Sequence, residues 1–106
     1  MSRRKRKKWL KKNGNYVSYN ELWNLDTTIA EWILPRLRRF REISDGYPSV
    51  LSEEEWNEIL DKIIHGFELI AGQFQVEPYI GNSERIETEI EEGMNLFAKW
   101  IRALWI

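Results

Sequence analysis

Four arginines lie close together in this chain, and their side chains are its best candidates for binding a charged ligand. Arg36, Arg38, Arg39 and Arg41 fall within one short stretch of a predicted helix. A guanidinium group grips phosphate oxygens through two parallel hydrogen bonds, so Arg36, Arg38 and Arg39 could hold the phosphates of a ligand. The same arginines also suit the C-terminal end of a helix, where they would pair with acidic neighbours. The sequence leaves both interpretations open.

Aromatic and acidic residues nearby could complete such a phosphate site. Trp23, Trp32 and Tyr47 offer rings on which a base could stack, and Asp26 could accept a hydrogen bond from a ribose hydroxyl or a base amine. At 100° per residue, Asp26 and Arg36 fall inside the apolar stripe of their predicted helix, where charged residues are rarely buried without a partner. They predict either an ion pair or cap at the end of the fold, or an anchor for a polar ligand. The predicted ligand-binding residues are Trp23, Asp26, Trp32, Arg36, Arg38, Arg39 and Tyr47.

The N-terminal segment is strongly basic. The chain has sixteen basic and seventeen acidic side chains, and eight of the basic ones lie in the first twelve residues, which leaves a net charge of -9 on the rest. We expect residues 1–14 to form a disordered, flexible tail. It could bind nucleic acid without base readout, or fold back on the acidic helices. The predicted nucleic-acid contacts are Arg3, Arg4, Lys5, Arg6, Lys7 and Lys8.

Residues suited to catalysis are few. His65 is the single histidine and falls on the polar side of its predicted helix, where we expect solvent. There is no cysteine, and no HExxH, Walker or GxGxxG pattern occurs. The acidic run Glu84, Glu87, Glu91 and Glu92 has no accompanying histidine, so it predicts a solubilising face and not a metal site. The sequence therefore predicts a binding protein with no cofactor, and not an enzyme.

Three amphipathic helices are predicted to position these residues. The first begins at the Ser18 and Glu21 capping box, or after Asn24 or Asp26 with residues 19–23 as a lead-in turn, and extends to Ile43. Its apolar stripe comprises Leu22, Leu25, Ile29, Ile33, Leu37, Phe40 and Ile43.

The second and third helices have equally clear limits. The second starts at a capping box formed by Ser52 and Glu55 and stops at Gly72, after which residues 73–82 read as an extended connector. The third starts at Asn82 or Ser83. Gly93 lies within its apolar stripe and costs about 1 kcal/mol of helix propensity, which predicts a close helix crossing there.

Together these patterns predict an all-α fold. Residues 15–106 would form one three-helix bundle with a radius of gyration of about 13 Å, preceded by the tail at 1–14. The apolar ending, residues 103–106, and the many aromatic residues predict a homo-oligomer. No segment has the length and apolarity of a membrane span or a signal peptide, so no membrane partner is expected.

Four stretches of the sequence follow the pattern of a known family. They are WNLDTTIAEWILPRLRRFRE from Trp23, GYP from Gly46, EEEWNEILDKIIHGFELI from Glu53 and EEGMNLFAKWIRALW from Glu91. Their ordered motifs, W-x-L-D-x-x-x-A-x-x-I-x-P-x-L, G-x-P, E-x-W-x-x-I-L-D-K and G-x-x-x-F-A-K-x-x-x-x-L-W, resemble a family of small proteins of tailed bacteriophages and prophages. The resemblance covers the chain from Trp23 to Trp105 and leaves out the basic segment.

The resemblance implies a phage product that acts in the cytoplasm of a bacterial host. Small phage proteins without catalytic motifs commonly bind a host enzyme, a defence protein or a nucleotide signal of host immunity. By analogy we expect a counter-defence protein that sequesters a cyclic nucleotide or an ADP-ribose-type signal. The alternatives are an interaction or virion-associated module that binds a host or phage protein, and non-specific nucleic-acid binding through the tail.

Overall fold

The computed structural model describes residues 2–14, 16–72 and 81–106, and all the regular structure in these ranges is helical. The helices are α1 (Arg3–Lys12), α2 (Tyr19–Leu22), α3 (Leu25–Ile43), α4 (Glu53–Ala71) and α5 (Ser83–Trp100), and a 3₁₀ turn (Ile101–Ala103) follows α5. The prediction of an all-α fold is confirmed. Most of the predicted extended connector, residues 73–80, lies outside the described residues.

Local capping interactions set the limits of α4, as the sequence predicted. The backbone N–H of Glu55 donates to Ser52 Oγ over 3.1 Å, and the backbone N–H of Ser52 donates to Glu55 Oε1 over 2.9 Å. This reciprocal pair satisfies two donors at the helix start. Gly72 ends the helix in the left-handed conformation at φ 75°, which costs a glycine little.

The first predicted helix is divided in two. Ser18 and Glu21 form their capping box, but it starts only the single turn of α2. Asn24 follows in the left-handed region (φ 56°, ψ 51°), a conformation that asparagine tolerates better than most residues, and α3 begins after it. The second of the two predicted starts is therefore the one observed.

The three long helices form a layer with α4 in the middle. Both α3 and α5 pack on α4, and no described α-carbon of α3 comes within 8 Å of one in α5. The buried core cluster consists of Ala30, Leu34, Leu37, Ile63 and Phe67. The ring of Phe97 in α5 meets that of Phe67 edge-on, with 5.1 Å between centroids.

The molecule is more extended than its length predicts. Its radius of gyration is 17.6 Å, and its principal extents are 54 × 39 × 20 Å. A compact bundle of this size would have a radius of gyration of about 13 Å. Two features account for the difference: the long helices lie side by side, and α1 packs on none of the other described helices.

The closest approach of α4 and α5 occurs between two glycines. A Cβ atom on Gly93 would lie 2.8 Å from the Lys62 carbonyl oxygen and 2.9 Å from the Gly66 Cα. No side chain fits in that space, so the helix propensity lost at Gly93 is offset by backbone contact between the helices. The predicted close crossing at Gly93 is confirmed.

Helix α3 has two apolar faces, and only one of them is covered. Ala30, Leu34 and Leu37 are buried against α4, whereas Leu25 and Ile29 are exposed. The predicted stripe combined residues from both faces and omitted Ala30 and Leu34. The centre of the predicted stripe was therefore misplaced, and Asp26 and Arg36, which fell inside it, are both exposed.

The basic N-terminal segment is helical where a disordered tail was predicted. Lysine and arginine are good helix formers, and the hydroxyl of Ser2 accepts a hydrogen bond from the Lys5 N–H over 3.2 Å at the start of α1. The amide of Asn13 donates to the Trp9 carbonyl over 2.8 Å at its end. The prediction relied on the highly charged composition of the segment and overlooked these local helix signals.

Candidate functional site

A cavity of about 610 Å³ lies at one end of the helical layer. The turn that follows α3 forms one wall, and the end of α5 with its 3₁₀ turn forms the other. Ligand sites in proteins range from about 300 to 1,000 Å³, so this cavity has room for a nucleotide-sized molecule. Its lining is Ile43, Ser44, Asp45, Gly46, Tyr47, Pro48, Lys99, Trp100, Arg102, Ala103, Trp105 and Ile106.

Three aromatic side chains contribute to this lining. Trp100 packs against the buried Trp56, and the two rings meet edge-on with 5.9 Å between their centroids. Tyr47 and Trp105 are 48% and 75% exposed, so their faces remain available for contact. The cavity therefore combines one ring fixed by packing with two accessible rings on which a planar group could stack.

Two cations and one carboxylate supply the charge of the cavity. Lys99 Nζ lies 5.3 Å from the centroid of the Trp100 ring, and Arg102 follows on the 3₁₀ turn. Among the described residues, no acidic side chain pairs with Lys99 or Arg102. Asp45 lines the cavity from the turn after α3. The charges of Lys99 and Arg102 are thus available to an anionic ligand.

The structure brings two predicted site residues together elsewhere, on the outer face of α3. The guanidinium carbon of Arg36 lies 4.0 Å from the centroid of the Trp32 ring, and Arg36 Nη1 donates to the Trp32 carbonyl oxygen over 2.7 Å. Arg36 has no acidic partner among the described residues. Neither residue lines the cavity at the end of the layer.

The other arginines of the cluster form ion pairs. Arg38 Nη2 lies 3.0 Å from Glu68 Oε2 on α4. Arg39 pairs with Glu42 on its own helix at 3.1 Å. Arg41 bonds to both carboxylate oxygens of Asp61, at 3.0 and 3.5 Å. These contacts match the alternative that the sequence left open, in which the arginines pair with acidic neighbours.

The remaining predicted residues are dispersed. The Trp23 ring lies near Tyr19, with 6.3 Å between centroids, and Asp26 is exposed in the first turn of α3. Of the seven predicted ligand-binding residues, only Tyr47 lines the cavity. Lys99, Trp100, Arg102 and Trp105 line the cavity but were not predicted from the sequence. Their signal was the mixture of cations and tryptophans near the C-terminal end, of which only the apolar residues 103–106 were interpreted as an interface.

A second recess, of about 500 Å³, lies beside α1. Tyr16 folds back onto the helix: its N–H donates to the Leu10 carbonyl over 3.1 Å, and Lys7 Nζ and Lys11 Nζ lie 5.3 and 5.1 Å from its ring centroid. The recess is lined by Arg3, Arg4, Arg6, Lys7, Leu10 and Tyr16. Four of the six predicted nucleic-acid contacts therefore surround one recess.

His65 lies between two helices and not on an open surface as predicted. Its Nε2 is 3.1 Å from Glu89 Oε2 of α5, and its side chain is partly buried. This partner lies across the seam between α4 and α5, so the angular position of His65 on its own helix did not reveal it. Within the described residues, no group of three or more histidine, aspartate or glutamate side chains is arranged to hold a metal ion.

Comparison with known proteins adds no relative. No family model, curated protein or solved structure matches the chain. Among the described helices, none is both long and apolar enough to cross a lipid bilayer.

Proposed function

We propose that this protein is a non-enzymatic binding protein that sequesters a nucleotide-type ligand in the cavity at the end of its helical layer. The observation that supports this function is that one cavity of about 610 Å³ is lined by three aromatic rings and by two cations that pair with no acidic side chain among the described residues. In line with the phage-family resemblance, the ligand would be a cyclic nucleotide or ADP-ribose-type immune signal inside an infected bacterium, and binding would serve counter-defence.

The chemistry of the lining assigns a role to each part of such a ligand. The base stacks on Tyr47 or Trp105, because both rings are accessible. Arg102 and Lys99 hold the phosphates through charge-assisted hydrogen bonds. Asp45 accepts a hydrogen bond from a ribose hydroxyl or a base amine. The binding energy therefore comes from stacking and charge together.

The lining favours storage of the ligand over its conversion. The described lining residues include neither histidine nor cysteine, and the hydroxyl of Ser44 donates to the Gly46 carbonyl over 3.4 Å. Among the described residues, no base is thus bonded to the Ser44 hydroxyl to activate it as a nucleophile. Inhibition of the signal would be stoichiometric, with the ligand recovered intact after denaturation.

Thermal shift against cyclic dinucleotides, cyclic trinucleotides and ADP-ribose derivatives tests this proposal. A true ligand at 100 times its dissociation constant adds about 2.7 kcal/mol to the free energy of unfolding. Arg102→Gln and Trp105→Ala should each abolish the shift, and mass spectrometry should recover the ligand uncleaved. Loss of the shift through Arg36→Gln and Trp32→Ala, with the cavity variants unaffected, would instead place the site on α3.

The exposed face of α3 supports a second candidate function, assembly into a homo-oligomer. Leu25, Ile29 and Trp32 are 45%, 50% and 59% exposed, and their spacing of four and then three residues is that of the seam of a helix pair. The seam continues through Arg36, Arg39 and Ile43. An antiparallel second copy would place the Trp32 ring of each chain against Arg36 of the other, which allows a cation–π contact.

Measuring the oligomeric state in solution tests this second candidate function. Light scattering coupled to size exclusion should give a dimer for the unaltered chain and for Ile29→Leu, and a monomer for Ile29→Glu. A monomer in all three cases would contradict self-assembly and favour a host or phage protein, including a defence protein, as the partner of this face.

A further inference from the structure

We infer that α1 binds double-stranded DNA by lying in the major groove as an intact helix. Helix α1 packs on none of the other described helices, and it carries all eight cations of the N-terminal segment. Its residues are separate from those of the cavity, so this inference does not depend on the proposed ligand.

The distribution of charge around α1 favours a groove over a flat surface. At 100° per residue, the widest sector without a cation spans about 100° and contains Trp9. The other apolar residue, Leu10, lies between Arg6 and Arg3 around the helix and is partly buried. A helix that lies on a membrane needs a broad apolar face, which α1 lacks. The major groove has phosphates on both sides and is about 12 Å wide, so it can admit a helix with cations around most of its circumference.

Tyr16 contacts two of these cations, Lys7 and Lys11. Its ring attracts the ammonium groups of Lys7 and Lys11 at 5.3 and 5.1 Å. Its backbone N–H bonds to the Leu10 carbonyl, and Gly14 reverses the chain at φ 73° to permit this contact. Tyr16 thus strengthens the C-terminal end of α1, and the recess beside it is lined by Arg3, Arg4, Arg6 and Lys7.

The rest of the molecule limits DNA contact to this helix. Residues 13–106 carry a net charge of -9, so they repel a polyanion. Binding should therefore be non-specific in sequence and strongly dependent on salt, because each cation that neutralises a phosphate releases condensed counterions. DNA binding would also reduce the mutual repulsion of the eight cations, and this reduction stabilises α1.

Fluorescence anisotropy of a labelled duplex with the full chain tests the contribution of charge. Arg6→Gln with Lys7→Gln removes two charges and keeps good helix formers. We expect binding about tenfold weaker and a salt slope reduced by about two. Arg41→Gln with Lys62→Gln removes the same charge from the acidic part and should leave the slope unchanged. Equal losses in both variants would overturn the assignment to α1.

A second comparison tests the helix itself. Trp9→Pro keeps all eight cations but removes a helical N–H and disrupts α1. We expect weaker binding to duplex DNA and unchanged binding to single-stranded DNA. The major-groove ligand methyl green should compete with the unaltered protein, and the minor-groove ligand distamycin should not.

Three results would contradict the inference. The first is equal duplex affinity of Trp9→Pro and the unaltered protein. The second is displacement by distamycin and not by methyl green. The third is tighter binding to phosphatidylglycerol vesicles than to duplex DNA, which would assign α1 to an anionic membrane surface.

Discussion

Gly93 is the residue at which a single methyl group has the largest predictable effect on packing. In Gly93→Ala the new Cβ would meet backbone atoms of Lys62 and Gly66 at less than 3 Å, so α4 and α5 must separate. Although alanine is the better helix former, we expect a net loss of about 1–3 kcal/mol in the free energy of unfolding, as for other overpacked sites. Urea denaturation of the variant and the unaltered protein measures this loss in the free energy of unfolding.

Gly46 provides the matched control. Its added Cβ would meet no atom within 4 Å, and its φ is not positive. Gly46→Ala should therefore be neutral or slightly stabilising. If Gly93→Ala behaves like Gly46→Ala, the two helices can separate at no cost and the crossing is not tightly packed.

Glu55 gives stability a dependence on pH. The backbone and then the side-chain hydrogen bond from Ser52 lower the pKa of Glu55 below its ordinary value of 4.5. A lowered pKa in the folded state means that the carboxylate contributes stability above pH 4.5, and that this contribution is lost as pH falls through the folded-state pKa.

Glu55→Gln isolates this contribution, because glutamine resembles the protonated acid. The unaltered protein should be more stable than the variant near neutral pH, and the difference should shrink as pH falls below 4.5. Thermal melts at a series of pH values measure both proteins. A difference that stays constant with pH would show that the charge of Glu55 plays no part in capping α4.

The tryptophans show what sequence can predict at the scale of residues. Trp56 is 2% exposed, and the sequence did not show which of the tryptophans would be buried. Trp23 and Trp32 are exposed on a segment whose apolar spacing also predicted a core. Spacing shows which residues share a face, but it does not show which face a neighbouring helix will cover.

Helix α3 is joined to α4 by two kinds of contact of unequal strength. Leu34 is 1% exposed, so Leu34→Ala should cost about 2–5 kcal/mol in the free energy of unfolding through lost contacts and the cavity it leaves. The ion pair between Arg41 and Asp61 is partly exposed to solvent, so Arg41→Ala should cost about 1 kcal/mol or less. Chemical denaturation of both variants at low and high salt measures these effects.

Salt provides the control for this comparison. The loss in Leu34→Ala should be independent of salt, and that in Arg41→Ala should diminish as ions screen the pair. A larger loss for Arg41→Ala would show that electrostatic contacts dominate the docking of α3.

At the scale of elements, local signals were predicted well and long-range ones poorly. The starts of α4 and α5 were predicted because capping depends on residues three apart, as in Asn82, whose side chain accepts from the Arg85 N–H. The face of α3 that is covered was not predicted from the sequence, because it depends on the orientation of α4. Helix α1 was missed because a high net charge was taken to exclude local order.

The central position of α4 predicts how stability is distributed over the whole molecule. Since α3 and α5 both pack on α4, opening either one leaves α4 partly covered. Hydrogen exchange followed by mass spectrometry should find the slowest amides in α4 and the fastest helical amides in α1, which lacks packing partners among the described helices. Equal protection of α1 and α4 would show that α1 docks in solution.

The candidate site could not be predicted at this scale. Its two walls are separated in sequence by the whole of α4 and most of α5, and only the arrangement of the layer brings Tyr47 near Arg102. The residue types predicted for a site, aromatic rings with cations, also line this cavity. The prediction placed these residues close together in sequence, because only sequence proximity was known. In the structure, the cavity lining comes from segments that are distant in sequence.

The position of this cavity has a mechanical consequence. The backbones of α3 and α5 stay apart, yet the segments that follow them face each other across the cavity. A molecule bound there would cross-link the two outer helices, converting an open row of three into a closed loop of contacts. The bound ligand would then hold α3 and α5 together reversibly. The frequency with which these two helices separate would fall as the fraction of ligand-bound protein rises.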